Sequence, residues 1–178
     1  SVAAGADHTC AILGNGSLAC WGNDDHGQLG HSGLAQDEES PVWIEMLGGL
    51  GVIEASSGDE FTCVILEDGS VSCWGKNDHG QLGIGNTSHQ DAPVQVRFDD
   101  LPEGRVAVEI ATGSDHACVI LDDGSLACWG RNSDGEIGQG NTDGTYYMPH
   151  LVDFPSSTTT GKTVSGLSLG GAHTCVVM

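Results

Sequence analysis

Pairs of cysteines ten residues apart recur along this chain around a glycine-bearing centre, and they constrain its fold more than any other feature. HTCAILGNGSLACWG occupies residues 8–22, FTCVILEDGSVSCWG residues 61–75, HACVILDDGSLACWG residues 116–130, and HTCVVM opens a fourth copy at His173. Gly5, Gly58, Gly113 and Gly170 precede these segments by a constant interval and lie 53, 55 and 57 residues apart. Each full copy continues through Cys-Trp-Gly to GQLG at 27–30 and 80–83, or GEIG at 135–138. Apolar pieces then begin at Pro41, Pro93 and Pro149, and VIEAS, VEIAT and LSL lead into the next glycine. No window keeps a 3.6-residue apolar rhythm, whereas short apolar runs between turn residues read as strands.

A period of ~50 residues made of several short strands points to propeller blades rather than helical solenoids. The expected fold is all-β: a partial β-propeller, with about three four-stranded blades and the start of a fourth. It forms one domain over residues 1–178, in repeats of about 1–52, 53–105, 106–165 and an incomplete 166–178. The 28 glycines suit such a turn-rich chain.

A three-residue hairpin loop centred on Asn15 pairs Leu13 with Ser17 and sets Cys10 opposite Cys20. The same construction on Asp68 opposes Cys63 and Cys73, and on Asp123 it opposes Cys118 and Cys128. The third loop residue, Gly16, Gly69 or Gly124, takes the left-handed backbone that such a loop requires. In the first copy alone a two-residue Asn-Gly turn is an alternative, which would set Cys10 beside Trp21. Opposed residues of an antiparallel pair are close enough for a disulfide. Disulfides Cys10–Cys20, Cys63–Cys73 and Cys118–Cys128 are therefore expected, the alternative being buried reduced thiols. Cys175 is left over, and its partner is expected about ten residues past Met178. Zinc is not expected, because the cysteines lack the short CxxC clusters of structural zinc sites.

Disulfides imply an oxidising compartment, so the chain is expected outside the cell or at its surface, with a cytoplasmic or nuclear location as the alternative. Two possible glycosylation sequons suit that setting, at Asn15 and Asn86.

Five Lys+Arg against 25 Asp+Glu give a formal net charge of -20. Such a surface repels phosphate backbones, so no nucleic-acid partner is expected. A basic protein partner is the sharper reading of the acidity, and solubility the plainer one. No apolar run approaches the ~20 residues of a membrane helix, so membrane insertion is not expected. No copy gathers a nucleophile, a base and an orienting acid, so catalytic residues and cofactors are expected to be absent. The equivalent positions of His8, His116 and His173 suggest a structural role, capping a neighbouring turn. His26 and His79 read as exposed turn residues, and Trp21, Trp74 and Trp129 as packing residues. The acidic turns NDDHG at 23–27 and RNSDGE at 131–136 lack the EF-hand ligand pattern, so calcium is not expected.

The pieces AAGADHTCAIL, LACWGNDDHGQLG, SSGDEFTCVIL, VSCWGKNDHGQLGIGNTS, ATGSDHACVIL and LACWGRNSDGEIGQGNT resemble the repeat of the regulator of chromosome condensation family, in a cysteine-containing variant of the bacterial or extracellular type. The resemblance covers essentially the whole chain. Phe61 replaces the usual histidine, and Glu136-Ile137 replaces Gln-Leu. The family implies a ring, usually of seven blades, of which this chain would be an arc. Light-sensing members carry tryptophans between the glycine and the histidine. Here those positions hold Ala6-Asp7, Asp59-Glu60, Ser114-Asp115 and Gly171-Ala172, which argues against that role. The function expected is a non-enzymatic scaffold that binds a protein or ligand through rim loops, notably the inserts at 31–40 and 154–162. The alternative implied by the resemblance is guanine-nucleotide exchange on a small GTPase.

Overall fold

The computed structural model describes residues 1–33, 36–99, 101, 104–154 and 163–178. Its strands form three antiparallel four-stranded sheets and one two-stranded sheet, each in sequence order from its inner to its outer strand. Blade 1 comprises β1 (Val2–Ala4), β2 (His8–Ile12), β3 (Leu18–Gly22) and β4 (Glu38–Ile44). Blade 2 comprises β5 (Val52–Ser57), β6 (Phe61–Leu66), β7 (Val71–Gly75) and β8 (Gln90–Gln95). Blade 3 comprises β9 (Ala107–Thr112), β10 (His116–Leu121), β11 (Leu126–Arg131) and β12 (Thr145–Leu151). Strands β13 (Gly166–Gly170) and β14 (His173–Val177) begin a fourth. Among the described residues no helix is long and apolar enough to cross a membrane.

The central hairpin of each full blade has the three-residue loop. Leu13 N–H donates to Ser17 O, Leu66 to Ser70 and Leu121 to Ser125, each at 2.9 Å. Gly16, Gly69 and Gly124 have φ of 82°, 78° and 78°, a backbone that glycine adopts cheaply. This loop places Cys10 opposite Cys20, Cys63 opposite Cys73 and Cys118 opposite Cys128. The structure joins each pair by a disulfide across Cα atoms 4.1 Å apart, and Cys175 is free and exposed.

The apolar cores lie between blades rather than within them. Leu18 and Leu29 of blade 1 meet Val64, Leu66 and Trp74 of blade 2. Phe61, Ile65 and Leu82 meet Val119, Leu121 and Trp129 across the second seam. Ile120, Leu126 and Ile137 pack with Val164 at the third. A blade therefore buries its faces only by having neighbours.

Three sets of contacts fix each seam. At the inner turns, Ala6 N–H donates to Asp59 O (3.4 Å), Asp59 to Ser114 (3.5 Å) and Ser114 to Gly171 (3.2 Å). At the opposite end the hairpin tips dock on the next blade, where Val52, Ala107 and Val164 N–H donate to Gly16, Gly69 and Gly124 O at 2.9–3.0 Å. Between them, at the first seam, Thr62 Oγ1 donates to Gln28 O at 3.0 Å and accepts from His8 Nε2 at 2.8 Å. Trp74 Nε1 reaches the same carbonyl at 2.9 Å. The third seam repeats the relay: His116 Nε2 lies 3.2 Å from Thr174 Oγ1, which donates to Glu136 O at 2.8 Å.

Of this relay the second seam keeps the tryptophan, whose Nε1 donates to Gln81 O at 2.8 Å (Trp129), and it adds Gln81 Nε2 donating to Asp115 at 3.1 Å and Ser56 Oγ hydrogen-bonded to Thr112 Oγ1 at 2.8 Å. There Phe61 stands in the histidine position and Ala117 in the threonine position, so both polar partners are replaced together. Replacing both ends avoids a buried unpaired group. Of the three equivalent histidines, His8 and His116 thus join adjacent blades rather than cap a turn. All three rings lie against the glycine three residues earlier, so a Cβ at Gly5, Gly113 or Gly170 would overlap the imidazole.

The expected outcome of Phe61→His alone is a loss of ~1–3 kcal/mol, because the new ring faces Ala117 unpaired. Adding Ala117→Thr restores most of it, with a coupling of ~1 kcal/mol or more between the two changes. Urea unfolding of the oxidised protein measures both.

Candidate functional site

One end of the arc gathers most of the polar loops, because the inner turns and the segments after Cys-Trp-Gly hydrogen-bond to one another. Asn23, Lys76 and Arg131 N–H donate to Asp7, Glu60 and Asp115 O, each at 2.9 Å. These turns and the adjoining GQLG-type loops form the candidate binding face.

Each loop is held by a side chain two residues past Cys-Trp-Gly and by the buried Gln28, Gln81 or Glu136, which accepts the N–H of His26, His79 or Asp134 at 2.8–2.9 Å. Asp24 Oδ1 accepts Leu29 N–H at 2.9 Å, Asn77 Oδ1 accepts Leu82 N–H at 3.0 Å, and Asn132 Oδ1 accepts Ile137 N–H at 3.1 Å. Asn77 Nδ2 also donates to Asn86 O and Ser88 O, and Asn132 Nδ2 to Asn141 O, tying the following loop down. Asp24 cannot donate in this way. Instead its Oδ2 faces His31 Nε2 at 3.5 Å, and burial raises its carboxyl above the usual range. The recurring Asp or Asn two residues past Cys-Trp-Gly is the signal of this clamp in the sequence.

Both described cations of this face are engaged within it. Lys76 Nζ pairs with Glu60, and that bond raises its pKa. His26 Nε2 is 3.5 Å from the other oxygen of Glu60, and its ring meets His89 edge-on at 5.2 Å. Arg131 lies 3.4 Å from Asp134, 3.7 Å from Glu136 and 3.9 Å from Asp115. Asp7, Asp25 and Asp59 remain exposed, and Asp78 lies 3.0 Å from His89. The face therefore projects negative potential.

Among the described residues no three His, Cys, Asp or Glu side chains are grouped to hold a metal ion. His8 and His116 are 3% and 1% exposed. Because Thr62 gives its only hydroxyl hydrogen to Gln28, His8 carries its proton on Nε2, and buried Nδ1 has no partner. Burial lowers both histidines to about 4, against a smaller opposing pull from Asp7 on His8 and from Glu136 on His116. Trp74 and Trp129 are buried in the seams, and Trp21 is half-buried. Asn15 and Asn86 are exposed, each accepting a backbone N–H two residues ahead, at 3.1 and 2.8 Å. Residues 34 and 35 of the first insert and 155–162 of the second lie outside the described residues.

The chain belongs to the regulator of chromosome condensation (RCC1) repeat family, whose profile matches residues 15–65, 68–120 and 123–177. A second profile of the same repeat matches residues 1–28, 52–81 and 107–136. The first profile runs from one hairpin tip to the next, so each unit it matches takes the outer half of one blade and the inner half of the next. The chain is 34% identical to the human E3 ubiquitin-protein ligase HERC2 over 96% of its own length and 3% of that protein. It is 31% identical to the ultraviolet-B receptor UVR8 of Arabidopsis thaliana over 99% of its length and 38% of that protein. It therefore spans a minor part of these relatives. Among solved structures, Prp20p of Saccharomyces cerevisiae matches 99% of this chain with 42% of its own, at a TM-score of 0.85 and 16% identity. The arc is thus the β-propeller architecture of the family.

The histidines make a testable contribution to stability. Each is neutral when folded down to about pH 4 but charges near 6.5 when unfolded. Their stabilisation is complete above pH 6.5, declines as pH falls toward 4 and is flat below, by as much as ~3 kcal/mol each. The double replacement His8→Phe/Thr62→Ala, copying the second seam, should flatten the fall of the unfolding temperature over pH 6.5–4. Thermal melts across that range read the difference.

Proposed function

We propose that this chain is a non-enzymatic protein-binding module whose acidic loop face takes a basic partner. The observation that carries this reading is the pairing of Lys76 and Arg131 inside the face, which leaves Asp7, Asp25 and Asp59 uncompensated toward solvent. Loops clamped by Asp24, Asn77 and Asn132 would meet a partner with little ordering cost. Complementary charge would speed encounter and select against acidic proteins. Prp20p is described by its binding to Gsp1p and histones. At that identity the likeness supports the fold alone, so nucleotide exchange on a small GTPase stays the alternative.

The three hairpin disulfides favour an oxidising compartment. Alkylation of the native protein, denatured without reductant, is expected to label one of its seven cysteines. Labelling of all seven overturns the compartment reading.

Biolayer interferometry against a panel of basic proteins, with acidic proteins as controls, tests the binding reading. Selective capture of basic proteins that weakens at least tenfold from 50 to 300 mM salt is expected, as is a comparable loss in Asp7→Asn/Asp25→Asn/Asp59→Asn. Equal capture of acidic and basic proteins sinks it.

A further inference from the structure

Blade 1 carries a surface feature that blades 2 and 3 lack. On β4, which is hydrogen-bonded only to β3, Trp43 is 63% exposed. The equivalent positions, two residues after Pro93 and Pro149, hold Gln95 and Leu151. The indole borders two depressions that also share Glu45. One is a groove of about 650 Å³, bounded further by Met46, Leu50 and Glu67. The other is a hollow of about 340 Å³ reaching Gly30 and His31. Leu47, also exposed, extends the apolar surface.

The electrostatics around this indole are one-sided. Residues 1–75 contain twelve Asp or Glu and no Lys or Arg. Glu45 and Glu67 are both exposed, and the ion pairs of the described residues involve neither. The first cation in the chain, Lys76, is engaged by Glu60.

We infer that the Trp43 groove docks an extended, Lys/Arg-bearing segment of a partner protein. A cationic side chain stacks on the indole face, and its charged head sits between Glu45 and Glu67. Side chains two apart on an extended segment are separated by ~6.6–6.8 Å, so alternate residues enter the depressions on either side of the indole. Strand addition is not the mode, because Pro41 lies in β4 and the register shifts between the partners of Cys20 and Gly22, which blunts this edge. A second copy of the chain would bring the same carboxylates against these. A nucleic acid or an anionic membrane would be repelled in the same way. The docking site rests on the basic-partner reading above, but it lies on the outer surface of the first blade and meets the loop face at Gly30 and His31.

The test uses the full chain and a labelled, terminally blocked nonapeptide of alternating arginine and threonine, followed by fluorescence anisotropy. Citrulline replaces arginine in the control peptide. The expected results are binding of the arginine peptide alone, a tenfold or greater weakening by Trp43→Ala, and recovery to within threefold of wild type by Trp43→Phe. Glu45→Gln/Glu67→Gln should weaken binding at least fivefold. Asp7→Asn/Asp25→Asn/Asp59→Asn should change it less than twofold. Trp43 is exposed, so the alanine variant should melt as wild type does. Unchanged affinity in Trp43→Ala, or equal binding of the citrulline peptide, overturns the docking site. So does a self-association in sedimentation that Trp43→Ala abolishes. Peptide binding lost only in the triple loop variant overturns the docking site while supporting the loop-face reading. No peptide binding by wild type also overturns it, and capture of folded basic proteins then tells separately whether the broader reading survives.

Discussion

A single backbone carbonyl, that of Gln28, receives both Thr62 Oγ1 and Trp74 Nε1 from the next blade, while His8 closes the circuit by donating to the same threonine. The first seam is organised around this convergence, and the one of its bonds common to the first two seams is the indole N–H on the Gln carbonyl. The sheets are apolar on the faces that meet their neighbours, and a strand's polar backbone must also be satisfied where blades abut. Placing the polar relay at mid-seam lets apolar side chains such as Leu29, Val64 and Trp74 fill the space around it. Removing one member would leave a buried donor or acceptor without a partner, so the relay is present whole or, as at Phe61 and Ala117, replaced as a pair.

Because the seams carry the packing, the loop end is relieved of it. Each GQLG-type loop is held from below by an Asp or Asn and by its own buried Gln or Glu, so its outward groups do little to hold the fold. A scaffold of this kind can vary its surface chemistry widely while its blades stay the same, which is how function commonly distributes over repeat folds. The uneven placement of the cations, with none before Lys76, shows such variation within one chain.

The hairpins were legible from the sequence. The spacing of Cys10, Asn15-Gly16-Ser17 and Cys20 determines the register, since a one-residue slip would turn every side chain to the other face. The propeller architecture followed from the recurrence of Gly5, Gly58, Gly113 and Gly170. The seam relays were not legible, because His8 and Thr62 lie 54 residues apart and nothing local in either marks the other. Phe61 read as a departure from the repeat, and only the contact with the Ala117 position explains it. On the loop face, the carboxylates were visible in the composition. Their freedom was not, since it depends on Lys76 and Arg131 being held by Glu60, Asp115, Asp134 and Glu136 across separate turns. Trp43 likewise looked like one more apolar residue of PVWI until its solvent-facing position was known.

The paired replacement at the second seam bears on how repeats of this kind can be rearranged. A blade ending in a histidine relay must be followed by one offering threonine, and a phenylalanine blade by one offering alanine. Exchanging blade 2 for a copy of blade 3 would therefore mismatch the joint on each side, setting His8 against an alanine and a histidine against Ala117. The repeat matched from hairpin tip to hairpin tip parts the joint as well, since residues 15–65 hold Thr62 and Gln28 but neither His8 nor Trp74. His8 and Thr62 are 54 residues apart, so only a block longer than one repeat carries a joint whole, and two consecutive blades are the smallest set of complete sheets that does.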